Sequence, residues 1–380
     1  MIHIKSFFLK NQFQRQRNHI LCFSSKKLYN VEGYADLNNL NDEDFDTKGV
    51  VPVISWYPGH IAKAERELSD YLKKVDVVIE VRDARIPLST QHPKVPSWVG
   101  NRPLIIAVAR LDQISNQALK DWKEYYAMNT KENQKVYFID GKKGSGVLTL
   151  RKQILKAGVQ HNERRIRRGI APRATRCAII GYPNIGKSAL INRILGRKMA
   201  KSQNKAGVTR SLQWVRIGGL DGDQSNAIEL LDSPGIIPAQ HLDQKAALRL
   251  AICNDIGEAS YDRVLAAGAM ADLLIDLHYK RGRDYVQMNK IEERYNIPFR
   301  TYTGEEVVYE IADKFYKGNS ISAADKLLGD FRKGHFGIAS LEAPPLVSRQ
   351  PKLSNLKKEK EIENNTNETL DIGKGNYEGW

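Results

Sequence analysis

The sequence predicts an α/β fold with a mainly parallel sheet, followed by a separate, mostly α-helical C-terminal domain. Short apolar segments alternate with amphipathic ones between residues 61 and 231, a pattern typical of β-α-β units whose sheet is covered on both faces. One of these units carries a phosphate-binding loop between its strand and its helix. After about Asp243 the periodicity is helical, with few strand signals through Phe331.

The phosphate-binding loop comprises residues 181–188, G-Y-P-N-I-G-K-S, and fits the pattern G-x-x-x-x-G-K-[ST]. Glycines in such a loop let successive backbone N–H groups face a polyphosphate at a helix N-terminus. Lys187 adds a positive charge at the β- and γ-phosphates, and the Ser188 hydroxyl is a ligand for Mg²⁺. The loop residues expected to bind nucleotide are Asn184, Ile185, Gly186, Lys187, Ser188 and Ala189.

The flanking elements follow from runs of β-branched residues for strands and from apolar repeats every three or four residues for helices. We expect strands at 75–81, 104–109, 135–139, 177–180, 213–217 and 227–231, and helices at 61–74, 117–128, 147–157 and 189–195. The polar, arginine-rich segment 158–175 is predicted to be a linker that leads into the phosphate-loop strand.

Two further segments are expected to complete the phosphate and metal site. Residues 230–235, L-L-D-S-P-G, form a strand end in which Asp232 can orient the Mg²⁺ shell and the Gly235 N–H can meet the γ-phosphate. Between this segment and the loop lies G-V-T-R, whose Thr209 hydroxyl could complete the Mg²⁺ shell. Each signal is weak alone and gains weight from its spacing after the phosphate loop.

Base recognition is expected in a segment that precedes the phosphate loop in the chain. After the strand at 104–109, Asp112 can accept two hydrogen bonds from guanine, a donor pair that adenine lacks. The usual motif N-K-x-D is A-R-L-D here, so Arg110 can cover the base with its stem, whereas Ala109 cannot make the asparagine hydrogen bonds. The alternative is an ordinary exposed aspartate after a strand. Downstream, Gly141 and Lys142 could supply a backbone N–H to the guanine carbonyl.

The amino-acid composition limits the kinds of partner that the protein can bind and indicates how the chain is divided into domains. The 380 residues carry a formal charge of +15, which suits a polyanionic partner such as RNA. Three cysteines without a C-x-x-C pair suggest a reducing compartment, and the lack of an 18-residue apolar run argues against a membrane span. We expect four segments: 1–50 as transit peptide and acidic linker, 51–242 as the nucleotide-binding domain, 243–340 as the helical domain and 341–380 as a disordered tail.

The first 31 residues contain basic residues and no Asp or Glu, which is typical of an organelle transit peptide. The alternative is a disordered basic arm. A second arginine-rich segment contains Arg164, Arg165, Arg167, Arg168, Arg173 and Arg176, and it is either a phosphate-contacting patch or a solvated linker. Arg332, Lys333 and His335 are weaker candidates for the same role.

Four motifs in order, W-Y-P-G-H, D-A-R-I-P, G-Y-P-N-I-G-K-S and D-S-P-G, resemble those of the circularly permuted ribosome-assembly GTPases of the YlqF/RbgA type. The resemblance covers roughly residues 55–341. Two segments, A-I-C-N-D-I-G and D-F-R-K-G-H-F-G, resemble the chloroplast branch of that family, the DAR GTPases. The resemblance implies a phosphate-loop GTPase domain in circularly permuted order and a monomeric enzyme that hydrolyses GTP. It also implies maturation of the large ribosomal subunit, with ribosomal RNA bound by the helical domain, in a plastid or alternatively a mitochondrion.

The resemblance also implies roles for single residues. Asn184 matches the asparagine associated with K⁺ binding, and His60 is the family's candidate for orienting the attacking water beside Lys187 and Thr209. A water-orienting group is needed because Ile236 follows D-S-P-G, where Ras-like proteins carry glutamine. The alternative from another class is a pseudo-GTPase, an RNA-binding assembly factor that binds nucleotide poorly because of Ala109. A third possibility, an ATPase, is disfavoured by Asp112.

Overall fold

A computed structural model provides the fold. It describes residues 34–35, 51–52, 54, 59–141, 143–196, 213–218, 227–232 and 243–345; for 34–35, 51–52, 59–65, 213 and 232 the description is of the backbone alone. The expected transit peptide, most of the acidic linker and most of the expected C-terminal tail lie outside these residues.

A six-stranded sheet forms the centre of the α/β part. Its strands lie in the spatial order β5-β4-β3-β6-β8-β7, with all neighbours parallel except β7 and β8. A short antiparallel pair, β1 (Tyr34–Ala35) and β2 (Val51–Pro52), stands apart from it. This confirms the predicted mainly parallel α/β fold. The strands of the sheet are β3 (Val77–Asp83), β4 (Leu104–Ala109), β5 (Gln134–Phe138), β6 (Thr175–Ile180), β7 (Gln213–Ile217) and β8 (Ile228–Asp232).

Helices cover the sheet and make up the C-terminal part. None of those described is both long and apolar enough to cross a bilayer. They are α1 (Gly59–Leu72), α2 (Val95–Val99), α3 (Asn116–Asn129), α4 (Val147–Arg167), α5 (Lys187–Leu195), α6 (Gln244–Ile252), α7 (Arg263–Arg281), α8 (Met288–Tyr295), α9 (Gly304–Tyr316) and α10 (Ser320–Lys333).

The order of the strands creates a switch point between β3 and β6. From β3 the chain builds outward through β4 to β5, and it then returns to place β6 on the other side of β3. Ligands of open parallel sheets bind outside the carboxyl ends of the strands at such a point. The phosphate loop follows β6 there, and the expected base loop follows β4 at the same edge.

The predicted linker at 158–175 is wrong in its first half, because α4 continues to Arg167. Gly158 does not end the helix; it lets the helix approach β6, since a Cβ there would lie 1.7 Å from the Thr175 hydroxyl oxygen. The return to the sheet is held by Asn162, whose side chain bonds both the N–H and the carbonyl of Arg173. Arg164, Arg165 and Arg167 therefore project from the last turn of a helix.

The C-terminal helices pack closely around α7. Gly268 of α7 and Gly304 of α9 bring their backbones into contact, since a Cβ on Gly304 would lie 1.9 Å from the Gly268 carbonyl oxygen. Asp262 and Thr303 cap the two helix N-termini, the latter in a reciprocal box with Glu306. The described residues up to Glu342 belong to one compact unit. The division of this unit into two domains near residue 243 stays a prediction.

Candidate nucleotide site

The phosphate loop lies at the carboxyl end of β6 and is shaped by its two glycines. Gly181 has φ 149°, and a Cβ there would stand 2.7 Å from the Val81 carbonyl oxygen of β3, so a side chain does not fit. Gly186 has φ 110° and is the N-cap residue of α5, with open space where its Cβ would be. The loop therefore turns tightly against the sheet and exposes its backbone at a helix N-terminus, as phosphate binding requires.

Lys187 is the first residue of α5 and is 7% exposed. Its Nζ donates hydrogen bonds to the carbonyl oxygens of Gly181 and Tyr182, at 3.0 and 2.5 Å. The ammonium group thus lies inside the curve of the loop, where a polyphosphate would meet it. Ser188 and Ala189 follow on the first turn, and Ile185 is buried beneath the loop.

Asn184 connects the phosphate loop to two other parts of the chain. Its φ of 54° is left-handed, which asparagine tolerates better than most residues. The side-chain Nδ2 donates to the Asn254 carbonyl oxygen at 2.7 Å, just after α6, and the Asn184 carbonyl accepts from Arg110 Nη2 at 3.0 Å. Because the amide nitrogen has this partner, the Oδ1 atom is the one that could serve as a K⁺ ligand.

Arg110 lies between the base loop, the phosphate loop and the end of β3. Its Nε is 3.1 Å from Oδ2 of Asp83, and its own φ of 64° turns the chain sharply after β4. Asp83 also accepts two hydrogen bonds from the guanidinium of Arg85, at 3.0 and 2.7 Å. Burial alone would raise the pKa of the Asp83 carboxyl, but Arg85 and Arg110 lower it below its usual value. Asp83 is therefore an anion that holds two cations at the switch point.

Asp255 lies beside this ion cluster and has no hydrogen-bond partner for either oxygen among the described residues. One oxygen of Asp255, one of Asp83 and the Cys253 sulfur lie within 4.8 Å of one another, and all three residues are buried. Burial, and then the negative charge of Asp83, raise the pKa of Asp255 to about 8. At neutral pH this carboxyl is mostly a neutral acid, a state that removes one charge from a crowded site.

The loop expected to bind the base follows β4 at the carboxyl edge of the sheet, the edge that also carries the phosphate loop. Asp112 is exposed in a short 3₁₀ turn after β4, and Ala109 is buried at the strand's last position. The Gly141 carbonyl accepts a hydrogen bond from Arg193 Nε at 3.1 Å, which holds the second segment expected to contact the base against α5. The structure thus brings Arg110 next to the phosphate loop and Gly141 next to α5.

The metal site is described only in part. Asp232 is the last residue of β8 and pairs in register with Ile179 of β6, so its backbone lies beside the strand that enters the phosphate loop. With Ser188 on the first turn of α5, this donor set of a hydroxyl and a carboxylate fits the oxygen preference of Mg²⁺. His60 lies in the first turn of α1, where only the backbone is described. Thr209, Gly235, Lys142 and Ile236 lie outside the described residues.

Two of the weaker RNA candidates near the C-terminus make hydrogen bonds or ion pairs within the protein. Arg332 donates to the carbonyl oxygens of Ile252 and Ala251 at the end of α6, at 2.9 and 3.0 Å. His335 contacts Asp330, whose pKa is lowered because its hydrogen bonds, first that from Arg294 and then that from His335, outweigh burial. Lys333 and His335 are exposed, and Arg332 is half-buried.

Sequence reasoning named Asp83, Arg85 and Asn254 within motifs but gave them no role. Asp83 and Arg85 lie in the apolar run V-V-I-E-V-R-D-A-R-I, and Asn254 lies beside Asp255 in the apolar run L-A-I-C-N-D-I. Charged residues are rarely buried unless they are paired. Charges embedded in such apolar runs were the signal that could have identified the cluster.

A parallel sheet with a phosphate loop at its switch point, and with the base loop earlier in the chain, defines a phosphate-loop nucleotide-binding protein in permuted order. The family model described as "50S ribosome-binding GTPase" matches residues 176–298. The chain is 32% identical over 302 residues to a protein named "Ribosome biogenesis GTPase A" from Bacillus pumilus (strain SAFR-032), covering 77% of this chain and 99% of that one. The chain therefore belongs to the ribosome biogenesis GTPase A family. It is a GTP-hydrolysing enzyme, and guanine nucleotide with Mg²⁺ is its expected substrate complex.

Two other similarities are more distant. A protein named "Mitochondrial GTPase 1" from Aedes aegypti is 28% identical over 315 residues, covering 75% of this chain and 92% of that one. A structure titled "Crystal structure of GNP-bound YlqF from T. maritima" is 22% identical with a TM-score of 0.47, and the match covers 74% of this chain and 99% of that one.

Proposed function

We propose that the protein is an assembly factor for the large ribosomal subunit of an organelle and binds ribosomal RNA in a nucleotide-dependent way. Membership of a ribosome biogenesis family and the net charge of +15 support such a partner. The observation that carries the proposal is the position of α6. Its C-terminal end is bonded to the phosphate loop through Asn184 and to the helical part through Arg332.

This arrangement gives the nucleotide a physical route to the helical part. A γ-phosphate that attracts the phosphate loop and the D-S-P-G segment would change the position of both ends of α6, which begins twelve positions after Asp232. Since Arg332 bonds the last carbonyls of α6, any displacement of that helix reaches α10 directly. The GTP-bound and GDP-bound states would then present different helical surfaces to RNA.

Two catalytic roles belong to the same proposal. A K⁺ ion at Asn184 would add positive charge near the bridging oxygen, where charge develops in the transition state. His60, at the start of α1, would orient the attacking water once the ribosomal precursor is bound. Positioning and polarising water in this way is typically worth about 10²–10⁴-fold in rate.

For localisation we propose the plastid stroma, with the mitochondrion as the alternative. The plastid is supported by the absence of Asp and Glu from the first 31 residues and by the two segments that resemble the DAR GTPases. The mitochondrion is the alternative because the relative from Aedes aegypti is named "Mitochondrial GTPase 1". Residues 1–50 fused to a fluorescent protein would be expected to enter plastids. Import into mitochondria alone would contradict the plastid assignment.

Nucleotide-dependent co-sedimentation tests the function. The full chain, loaded with a non-hydrolysable GTP analogue or with GDP, is centrifuged with large-subunit precursors from the organelle, and small-subunit precursors serve as the control. We expect association with the large-subunit precursor that differs between the two nucleotides in the wild type and does not differ in Lys187→Ala. Equal association with both subunits would contradict the proposal.

Single-turnover hydrolysis tests His60. His60→Ala should keep GTP affinity within a few-fold of the wild type and lose most of the precursor-stimulated rate. The slow basal rate should be retained. A variant that the precursor stimulates as fully as the wild type would remove His60 from the mechanism.

A further inference from the structure

A basic groove lies at the amino-terminal edge of the sheet, the edge opposite to the nucleotide site. The groove has a volume of about 1100 Å³ and is lined by the segments that precede β3, β4 and β5, by the second half of α4 and by the start of β6. None of the residues assigned to the nucleotide site lines it. We refer to this surface as the amino-edge groove.

The amino-edge groove is strongly positive. Ten of its 22 lining residues are Lys or Arg, against two acidic residues, Asp76 and Glu132. Basic side chains in the last turn of a helix are favoured by the helix dipole, and that effect accounts for Arg164 on α4. It does not account for Lys131, which lies in the loop after α3, or for Lys74, which follows α1. Basic residues from several separate segments thus converge on one surface.

The floor of the groove is held rigid by a buried acid. Asp76, with a side chain 4% exposed, accepts two hydrogen bonds from the Arg173 guanidinium at 2.8 Å and lies 3.3 Å from Nδ1 of His161. It also accepts the Arg176 N–H at 2.9 Å. The negative charge of Asp76 is therefore used internally, between the helix α4 and the strand β6, and does not neutralise the rim.

The rim of the groove carries exposed cations. Lys131, Lys156 and Arg164 are exposed, and in the part of the chain that the structure describes none of them has an ion-pair partner. Exposed, unpaired Lys and Arg side chains on both walls of a concave surface focus a positive potential into it. Such a surface attracts a polyanion.

The neutral lining distinguishes one kind of polyanion from another. The lining contains four amide side chains, Asn101, Asn133, Gln153 and Gln160, and no Phe, Tyr or Trp. Single-stranded RNA is bound mainly by stacking its bases on aromatic side chains. Among the described lining residues the groove offers only the ring of His161, which lies against Asp76. Ammonium, guanidinium and amide groups instead suit the phosphates and 2′-hydroxyls that a double-stranded RNA helix displays on its outside.

We propose that the amino-edge groove is a binding site for the sugar-phosphate backbone of double-stranded RNA. The inference rests on the proposed ribosomal function for its biological setting, and it places a second RNA contact on the α/β part in addition to the helical part. Because the nucleotide is bound at the other edge of the sheet, this contact holds RNA independently of the nucleotide.

Two pairs of substitutions with identical chemistry test the groove. Lys131→Gln with Lys156→Gln removes one charge from each wall. Lys120→Gln with Lys123→Gln removes two charges from the outer face of α3, where both lysines are exposed and lie outside the groove. The full chain is titrated with a labelled short RNA duplex of non-ribosomal sequence over a range of salt concentrations, and GTP affinity is measured in parallel as the check on folding.

We expect the duplex affinity of the wild type to fall steeply with salt, and the groove pair to reduce the slope of log K against log salt by about two, one for each lost phosphate contact. The control pair should leave the slope nearly unchanged, and neither pair should alter GTP affinity. Equal losses from both pairs would show a general charge effect and overturn the site.

Two competitors test whether the groove prefers duplex RNA to a single RNA strand or to another polyanion. A single strand of the same length should compete less well than the duplex, and polyglutamate should compete weakly. Stronger binding of the single strand, or displacement of the duplex by polyglutamate at equal charge, would overturn the assignment to duplex RNA. A failure here leaves the co-sedimentation test of the ribosomal function unaffected, because that test asks only whether the subunit precursor is bound in a nucleotide-dependent way.

Discussion

The two edges of one sheet use charge in opposite ways. At the carboxyl edge the charged side chains are buried and bonded to one another, as in the pair of Asp83 and Arg85, which are 0% and 1% exposed. At the amino edge the positive side chains of the rim are exposed, and several have no ion-pair partner in the described part of the chain. The strands between the two edges hold them at a fixed distance from each other.

The difference shows what each edge is built to do. A buried ion has lost its water, so it depends on its protein partner, and removal of that partner is expensive. An exposed ion keeps its water and remains available to a ligand. Buried, paired ions suit a site that must hold a small nucleotide in one geometry. Exposed, hydrated ions suit a surface that holds a large polyanion through many weak contacts. Substitutions at the two edges should therefore differ in both size and kind.

The largest loss of stability should come from Arg85→Met. Arg85 is bonded to Asp83, its guanidinium stacks 4.8 Å from the ring of Phe331, and its carbonyl accepts the N–H groups of Leu341 and Glu342. Methionine retains much of the packing but leaves the Asp83 charge with Arg110 alone. We expect the free energy of unfolding to fall by about 3–5 kcal/mol.

Chemical denaturation measures this loss, and the matched control is Arg164→Met, on the exposed rim of the other edge. The control should change stability by less than about 0.5 kcal/mol. Similar losses in both variants would erase the distinction between the two edges.

The second effect concerns pH and Asp255. Since burial and Asp83 raise the pKa of Asp255 to about 8, the folded protein binds a proton that the unfolded chain, with an ordinary aspartate, has already released. Between about pH 4 and pH 8 the unfolded state therefore binds fewer protons, and stability falls as pH rises, by up to about 1.4 kcal/mol per pH unit from this one group. Asp255→Asn should be more stable than the wild type at pH 8.

The comparison is made by denaturant titrations of wild type and variant at several pH values. The difference between the two proteins isolates Asp255 from the other titrating groups. We expect the difference to grow with pH and then level off above about pH 8. A difference that is independent of pH would show that the carboxyl is charged in the folded protein over the whole range.

A smaller effect should follow from Asp76→Asn, which removes the one buried charge of the amino edge. Asp76 holds Arg173, but the Arg173 side chain is 23% exposed and can recover water when its partner is lost. The expected loss is about 1.5–3 kcal/mol, the range for a hydrogen bond to a charged group and below the effect of Arg85→Met. Thermal or chemical denaturation would measure it; a loss as large as that of Arg85→Met would mean that the amino edge is as dependent on buried charge as the carboxyl edge.

The sequence predicted the sheet and the phosphate loop well because both depend on short-range patterns. Runs such as L-I-I-A-V-A at 104–109 mark a strand buried on both faces, and the glycine spacing of 181–188 admits few other conformations. The predicted strand at 104–109 agrees with β4 to the residue, and the helix predicted at 117–128 differs from α3 by one residue at each end.

What the sequence missed depends on contacts between distant segments. Gly158 was taken as the end of a helix, although its small size serves the approach to Thr175. The bonds of Asp83 to Arg110, and of Asn184 to Asn254, join residues that lie 27 and 70 positions apart and occur in separate motifs. No local periodicity signals such pairs. The only local signal was the presence of charge within an apolar run.

The smallest effect on stability should come from the rim of the amino-edge groove. Lys131 and Lys156 are exposed and repel the neighbouring cations, so their replacement removes an unfavourable interaction and no favourable one. We expect Lys131→Gln with Lys156→Gln to change the free energy of unfolding by at most about 0.5 kcal/mol, in the direction of a gain at low salt. Salt screens repulsion between exposed charges, so the wild type should become slightly more stable as salt is raised, and the variant should respond less. Thermal unfolding of both proteins at low and high KCl measures this response. A loss of more than about 1 kcal/mol in the variant would show that these lysines hold the fold together, and the amino edge would then resemble the carboxyl edge instead of contrasting with it.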